Sequence, residues 1–117
     1  MKIKFHASKI SYTEAIDGEI VQVAFEEVEN DDPLNPAKLY LHISASYEFG
    51  SPVPTAQWFD GSNEDGGATI ESFSVGENLA QIQIKNSHNF NVTYDDNPAI
   101  TNKIRSFLAR DCREINV

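Results

Sequence analysis

The amino-acid sequence predicts an α+β protein: a mostly antiparallel β-sheet meander of about six to seven strands, with one C-terminal amphipathic helix packed on it. Short segments in which apolar and polar residues alternate recur at intervals of roughly ten residues, with turn-forming residues between them. After Pro98 the apolar spacing becomes helical. The length of 117 residues and the hydrophobic content of 40% fit a single domain, residues 1–117, with one core.

The N-terminal quarter predicts two strands. Residues 3–7 alternate apolar and polar, and residues 10–12 continue the apolar set with the opposite parity, which indicates a bulge between them. Asp17-Gly18 is a turn signal. The alternation over residues 21–25 then predicts a second strand that forms a hairpin with the first.

The middle of the chain combines a regular strand with two predicted loops. Residues 26–33 contain five acidic residues and end in a proline, which predicts an exposed loop because carboxylates are not buried unpaired. The alternation over residues 39–47 is the most regular in the chain, and the prolines in residues 49–54 end that strand. Trp58 precedes a second predicted loop, residues 60–67, with three glycines.

The last third predicts three more strands and the helix. The strands correspond to the alternation in residues 69–75, 80–84 and 90–94. Asp96 or Asn97 suits the helix cap, and Pro98 suits its first position. The apolar stripe expected to pack on the sheet consists of Ile100, Ile104, Phe107, Leu108 and Ile115.

The charge distribution bears on the kind of partner. The net charge is −9, and residues 10–84 hold 14 acidic residues against one basic residue, a net charge of −13, while the remaining residues carry +4. An acidic surface argues against binding to nucleic acid or to anionic membranes and favours a basic partner. Solubility alone is the competing explanation of the same charge.

Localisation is expected to be cytoplasmic. The sequence contains no apolar run long enough for a membrane span or for the core of a signal peptide. Cys112 is the single cysteine, so an internal disulfide is impossible, which agrees with a reducing compartment.

No motif specifies catalysis or a cofactor. The three histidines lack metal-ligand spacing, and Cys112 lies at the edge of the helix stripe, as a core or boundary residue does. Residues 60–71 have the length of an EF-hand calcium loop, but its sixth position, where the turn needs glycine, is Asp65. Phosphate-binding and serine-nucleophile motifs are missing. The sequence therefore predicts no catalytic residue, no metal, no cofactor and no enzyme.

Two short segments carry a family resemblance. Residues 57–61 (Gln-Trp-Phe-Asp-Gly) and 66–71 (Gly-Gly-Ala-Thr-Ile-Glu) precede two amphipathic strands and a closing helix. The stretch from Gln57 to Ala109 thereby resembles small bacterial immunity proteins, the antidotes of polymorphic-toxin and contact-dependent inhibition systems. The resemblance implies a protein that binds and blocks one toxin domain without catalysis of its own. It transfers no contact residues, because such surfaces vary from pair to pair.

The function expected from the sequence is that of a non-catalytic antidote that neutralises a basic toxin domain. The alternative is an accessory or oligomer-forming domain of uncharacterised role, and the oligomeric state stays open. Acidic residues would steer the partner and aromatic residues would anchor it, although Trp58 could instead pack under its loop against the sheet. The predicted partner-binding residues are Glu26, Glu27, Glu29, Asp31, Asp32, Phe49, Trp58, Asp60, Glu64 and Asp65.

Overall fold

The structure is a computed structural model that describes residues 2–15, 17, 19–27, 39–47, 53–59, 64–85 and 88–115. Within these residues the fold is α+β, with nine strands and one helix. The elements are β1 (Lys2–Ala7), β2 (Lys9–Ala15), β3 (Ile20–Glu26), β4 (Tyr40–Ser46), β5 (Thr55–Phe59), β6 (Glu64–Val75), β7 (Leu79–Ile84), β8 (Asn89–Tyr94), α1 (Pro98–Asp111) and β9 (Arg113–Glu114).

The strand order is β1-β8-β7-β6-β5-β4-β3-β2, and β9 lies beside β6. Strands β2 to β8 pair antiparallel in sequence order, as a meander does. The two ends of the chain depart from the meander, because β1 is parallel to β8 and β9 is parallel to β6. The prediction of a mostly antiparallel sheet with a C-terminal helix is therefore confirmed.

The strand count exceeds the predicted six to seven for three reasons. The first predicted strand is two strands, since the chain bends at Ser8 between β1 and β2. Residues 55–59 form β5 ahead of the second predicted loop, and the two residues of β9 follow the helix. The expected slip in parity at residues 8–9 is real, but it marks this bend between two strands that pair with different partners.

The pairings fall into two layers. Layer A comprises β1, β8, β7, the second half of β6 and β9, and layer B comprises the first half of β6, β5, β4, β3 and β2. β6 pairs with β5 over residues 64–69 and with β7 over residues 70–75. Bends and bulges let strands pass from one sheet to another, so β6 and the Ser8 bend connect the layers.

The predicted loop over residues 60–67 is wrong in its second half. Residues 64–67 begin β6 and pair with β5. All four are exposed, because this end of β6 extends beyond the core, which the strand first contacts at Ala68. Such a segment needs no apolar alternation, and its two glycines suggest a loop.

The helix packs as predicted, with one correction. Ile104, Phe107 and Leu108 are completely buried in the core cluster that both layers share. Ile115 does not belong to the helical stripe, since α1 ends at Asp111 and Ile115 is 37% exposed. Its backbone N–H donates instead to the Phe73 carbonyl (2.7 Å), which extends the pairing of β9 with β6.

Two side chains, with three hydrogen bonds, tie the helix and β8 to the β6–β7 turn. The Arg105 guanidinium donates to the Val75 carbonyl through Nη2 (2.8 Å) and Nε (3.2 Å), and the Tyr94 hydroxyl donates to the Gly76 carbonyl (2.7 Å). Asn97 occupies the predicted cap position, but its side chain makes no capping hydrogen bond. The first turn is held instead by the Asn97 carbonyl, which accepts hydrogen bonds from the backbone N–H groups of Ile100 and Thr101 and from the Thr101 hydroxyl.

The one helix in the described part of the chain is not long and apolar enough to cross a membrane.

We expect Phe107→Ala to lower the free energy of unfolding by about 3–5 kcal/mol, because it leaves a cavity in the core. Ser106→Ala, at an exposed position of the same helix, is the control and should change it by less than about 0.5 kcal/mol. Urea denaturation of the two variants measures the difference. Equal stabilities would contradict this placement of the helix.

The buried phenol of Tyr94 predicts a loss of stability at high pH. Burial and, to a lesser extent, Asp96 raise the pKa of Tyr94 to about 12, although Arg105 acts in the opposite direction. Tyrosine in an unfolded chain has a pKa near 10. The folded state therefore holds this proton more tightly, and the free energy of unfolding should fall as pH rises from about 10 to about 12. Urea denaturation across this window should show a shallower fall for Tyr94→Phe; equal slopes would refute the argument.

Candidate protein-binding site

The sheet register brings two acidic segments of the sequence together. Glu26, Tyr40, Phe59 and Glu64 are successive cross-strand partners in β3, β4, β5 and β6. We call these four residues the acidic row. Glu26 and Glu64 are far apart in the sequence, but only three strand spacings separate them, about 14 Å. The sequence predicted two separate acidic loops, whereas the structure joins their described residues at one end of layer B.

The alternation of the strands turns the acidic row outwards. Phe25, Leu41 and Trp58 directly precede or follow members of the row, and all three are buried between the layers. Because successive side chains of a strand point to opposite faces, the row itself lies on the outer face of layer B.

Glu27 and Asp65 add two more carboxylates at the same end. The Glu27 N–H donates to the Leu39 carbonyl (3.0 Å), so pairing with the chain before β4 continues past the end of β3. Asp65 follows Glu64 in β6 and is exposed, and its carboxylate accepts a hydrogen bond from the Gly66 N–H (2.8 Å). Four of the predicted partner-binding residues therefore lie at one end of layer B. The alternation places Glu27 and Asp65 on the opposite face from the acidic row, since Asp65 is the cross-strand partner of the buried Trp58.

The centre of the row is aromatic. The Tyr40 ring lies 4.6 Å from the His42 ring and 6.4 Å from the Phe59 ring, and it is nearly parallel to the latter, at 29°. His42 Nε2 is 3.9 Å from Glu26 Oε2. All three rings are half-buried, so they are packed on one another and still offer surface. An aromatic centre with a charged rim is the composition typical of protein interfaces.

The pKa of Tyr40 reflects its position beside Glu64. Burial, as the main cause, and the negative charge of Glu64 both raise the pKa of Tyr40 above its ordinary value. The phenol therefore stays protonated near neutral pH, where it is available as a hydrogen-bond donor to a partner.

Trp58 lies beneath this face. It is 2% exposed, and its ring meets those of His88 and Phe90 edge-on, at 5.6 and 6.0 Å. Its position matches the alternative in which Trp58 packs against the sheet. Phe59 is the aromatic residue that β5 presents on the outer face. Trp58 can support the acidic row from the core, but it is not a surface anchor in this structure.

Five of the predicted partner-binding residues lie outside the described residues: Glu29, Asp31, Asp32, Phe49 and Asp60. Conversely, the predicted set lacks Tyr40, His42 and Phe59. Tyr40 and His42 could have been found from the sequence, because each places a ring at a position that the alternation over residues 39–47 reserves for polar, outward-facing residues.

The described residues do not form a cluster of three or more histidine, cysteine, aspartate or glutamate side chains suited to a metal ion. The three histidines are separated, with His6 on layer A bonded to Thr93 Oγ1 (2.9 Å), His42 on layer B and His88 beside Trp58. Glu71, the last position of the EF-hand-length segment, lies within strand β6. An extended strand cannot wrap around a cation as a calcium loop does.

Comparisons with protein-family models, with curated proteins and with solved structures find no match to this chain.

We expect Glu64→Gln to lower the pKa of Tyr40 towards its ordinary value of about 10, because it removes the neighbouring negative charge. The effect of burial should remain, so the pKa should stay above that value. A titration of tyrosine ring carbons by NMR measures it. Glu71→Gln, in the half of β6 that belongs to layer A, is the matched control. If both variants shift Tyr40 equally, Glu64 is not its neighbour.

Proposed function

We propose that this protein is a non-catalytic antidote that binds and neutralises a basic toxin domain through the acidic row, with Glu27 and Asp65 adding negative charge at the same end of layer B. The observation that carries the proposal is the convergence of two acidic segments around the Tyr40 and Phe59 rings. The step from a basic protein to a toxin rests on the resemblance of residues 57–109 to immunity proteins.

Charge supplies the long-range part of such binding. Complementary charges accelerate diffusional association by roughly 10- to 1000-fold over neutral docking, and salt weakens the effect. The exposed lysines of β1, Lys2 and Lys4, lie on the outer face of layer A. The carboxylates of layer B outnumber the exposed Lys9 that lies opposite Glu26, so a basic partner is attracted to layer B and repelled by the lysines of layer A, which orients its approach.

The rings supply the short-range part. Tyrosine and other aromatic residues at the centre of a patch carry much of the binding energy in protein complexes, while charges at the rim govern association. Tyr40 adds a protonated hydroxyl to its ring surface. Truncation of Phe59 should therefore increase the dissociation rate, and neutralisation of the carboxylates should decrease the association rate.

The first experiment identifies the partner and tests neutralisation. The tagged protein captures its partner from the source cells, and the purified partner is assayed for toxicity with and without stoichiometric antidote. Loss of toxicity supports the proposal. A captured partner with no toxic activity, or self-association without any other partner, would favour the accessory or oligomer-forming domain instead.

The second experiment tests the surface. We expect the triple variant Glu26→Gln, Glu27→Gln and Glu64→Gln to associate about tenfold more slowly at low salt than the unmodified protein, with a difference that shrinks as salt increases. Stopped-flow fluorescence measures the association rate. These side chains lie on the surface or at its margin, so the melting temperature should barely change.

The matched control removes the same charge elsewhere. Glu71→Gln, Glu77→Gln and Asp95→Asn also neutralise three exposed carboxylates, but none of these lies in the acidic row. We expect this control to associate nearly as fast as the unmodified protein. Equal slowing in both triple variants would mean that net charge, and not the acidic row, steers the partner.

A further inference from the structure

Strand β2 is an edge strand of layer B, and one of its edges has no strand partner among the described residues. β2 pairs with β3 along its whole length, and the strand order ends there. A free edge presents backbone N–H and C=O groups that can pair with another extended chain.

The register identifies which groups face that edge. The hydrogen bonds from the Glu27 N–H to the Leu39 carbonyl and from the Tyr47 N–H to the Glu19 carbonyl show that odd-numbered residues of β3 pair with β4. In antiparallel strands a residue directs both backbone groups to the same neighbour, so even-numbered residues of β3 face β2.

These even-numbered residues are partnered by the odd-numbered residues of β2. The backbone groups of Ile10, Tyr12 and Glu14 therefore point away from β3, towards the free edge.

A groove of about 500 Å³ lies between this strand and the helix. Its lining residues are Tyr12, Glu14, Asn102, Lys103, Ser106 and Arg110. The Tyr12 ring packs edge-on against Phe107 (6.3 Å between ring centroids), and its hydroxyl donates to Glu14 Oε1 (2.7 Å). Burial and this hydrogen bond raise the pKa of Tyr12 to about 12. One wall of the groove is therefore formed by β2, where the Tyr12 side chain is held in place, and the other wall is formed by α1.

The groove is electropositive in a protein of net charge −9. Lys103 and Arg110 are exposed on its helical wall, and neither has a carboxylate partner within ion-pair distance among the described residues. Arg110 lies over the Tyr47 ring, 5.7 Å from its centroid. The single carboxylate of the groove, Glu14, already accepts the Tyr12 hydrogen bond.

We propose that this groove binds an extended, acidic peptide segment of a partner protein, which adds to layer B as a strand beside β2. The backbone groups of Ile10, Tyr12 and Glu14 would pair with the peptide backbone, as in other cases of strand addition. Acidic side chains of the peptide would meet Lys103 and Arg110. The site is separate from the acidic row and selects a partner of the opposite charge.

A second copy of this chain fits the groove less well than an acidic peptide does. Two β2 edges related by a two-fold axis would bring the same helical wall of each copy towards the other. Lys103 and Arg110 would then approach their own copies, and like charges placed opposite one another are destabilising.

The test uses two eight-residue peptides, one of alternating valine and glutamate and one of alternating valine and lysine. Amide hydrogen exchange by NMR follows Ile10, Tyr12 and Glu14, with Ser11 and Thr13 as internal controls that already face β3. We expect the glutamate peptide to slow exchange of the three edge amides by tenfold or more and to leave the two controls unchanged. The lysine peptide should have no effect.

A pair of substitutions at one position separates the backbone from the side chain. Glu14→Pro removes one outward N–H without touching the β2–β3 hydrogen bonds, and Glu14→Ala keeps that N–H; both remove the carboxylate that accepts the Tyr12 hydrogen bond. We expect the first to weaken binding of the glutamate peptide by about tenfold, the loss of one hydrogen bond, and the second to preserve or tighten it. Lys103→Glu with Arg110→Glu should abolish binding.

Three outcomes would overturn the proposal. One is absence of binding by the glutamate peptide at millimolar concentration. Another is equal binding by the lysine peptide. The third concerns the protein without peptide. If its edge amides become protected as the protein concentration rises, and sedimentation shows a dimer over the same range, a second copy is the occupant.

Discussion

The burial of apolar side chains between two sheet layers is the constraint on which the rest of this structure depends. Most strands contribute alternate residues to that interior, so the intervening residues must lie on an outer face. The acidic row is a direct result, because burial of Leu41 and Trp58 leaves Tyr40 and Phe59 no other side on which to lie. A register slip of one residue in β4 or β5 would bury these rings and disperse the row.

Because the two layers are linked by bent strands, apolar surface beside β2 and β6 would be exposed to solvent without the helix. Ile104, Phe107 and Leu108 cover it. The same placement directs the polar side of α1, with Lys103 and Arg110, towards the edge of β2. The positively charged groove is therefore a consequence of how the core is closed, and its charge comes from the basic C-terminal part of the chain.

Sequence alone predicted those elements that have one face in the core and the other in solvent. The alternation in β1, β4, β7 and β8 and the helical stripe after Pro98 are of this kind. Residues 64–67 of β6 were mistaken for a loop because all four are exposed, and β9 was missed because its two residues form a strand only through pairing with β6. The charge split was readable, whereas the convergence of Glu26 and Glu64 was not, since alternation does not reveal which strands are neighbours.

The two proposed surfaces can act independently because charge and distance separate them. Lys9 pairs with Glu26 at one end of β2, and Glu14 lies five residues further along the strand, about 17 Å away. This exceeds the Debye length of about 8 Å at physiological ionic strength, so the exposed charges of one surface are largely screened at the other. A basic protein is favoured at the acidic row and disfavoured beside Lys103 and Arg110, and an acidic peptide shows the reverse preference. The two surfaces also use different chemistry, side chains on the sheet face and backbone at the sheet edge, so substitutions in the acidic row can retune one partner without altering the groove.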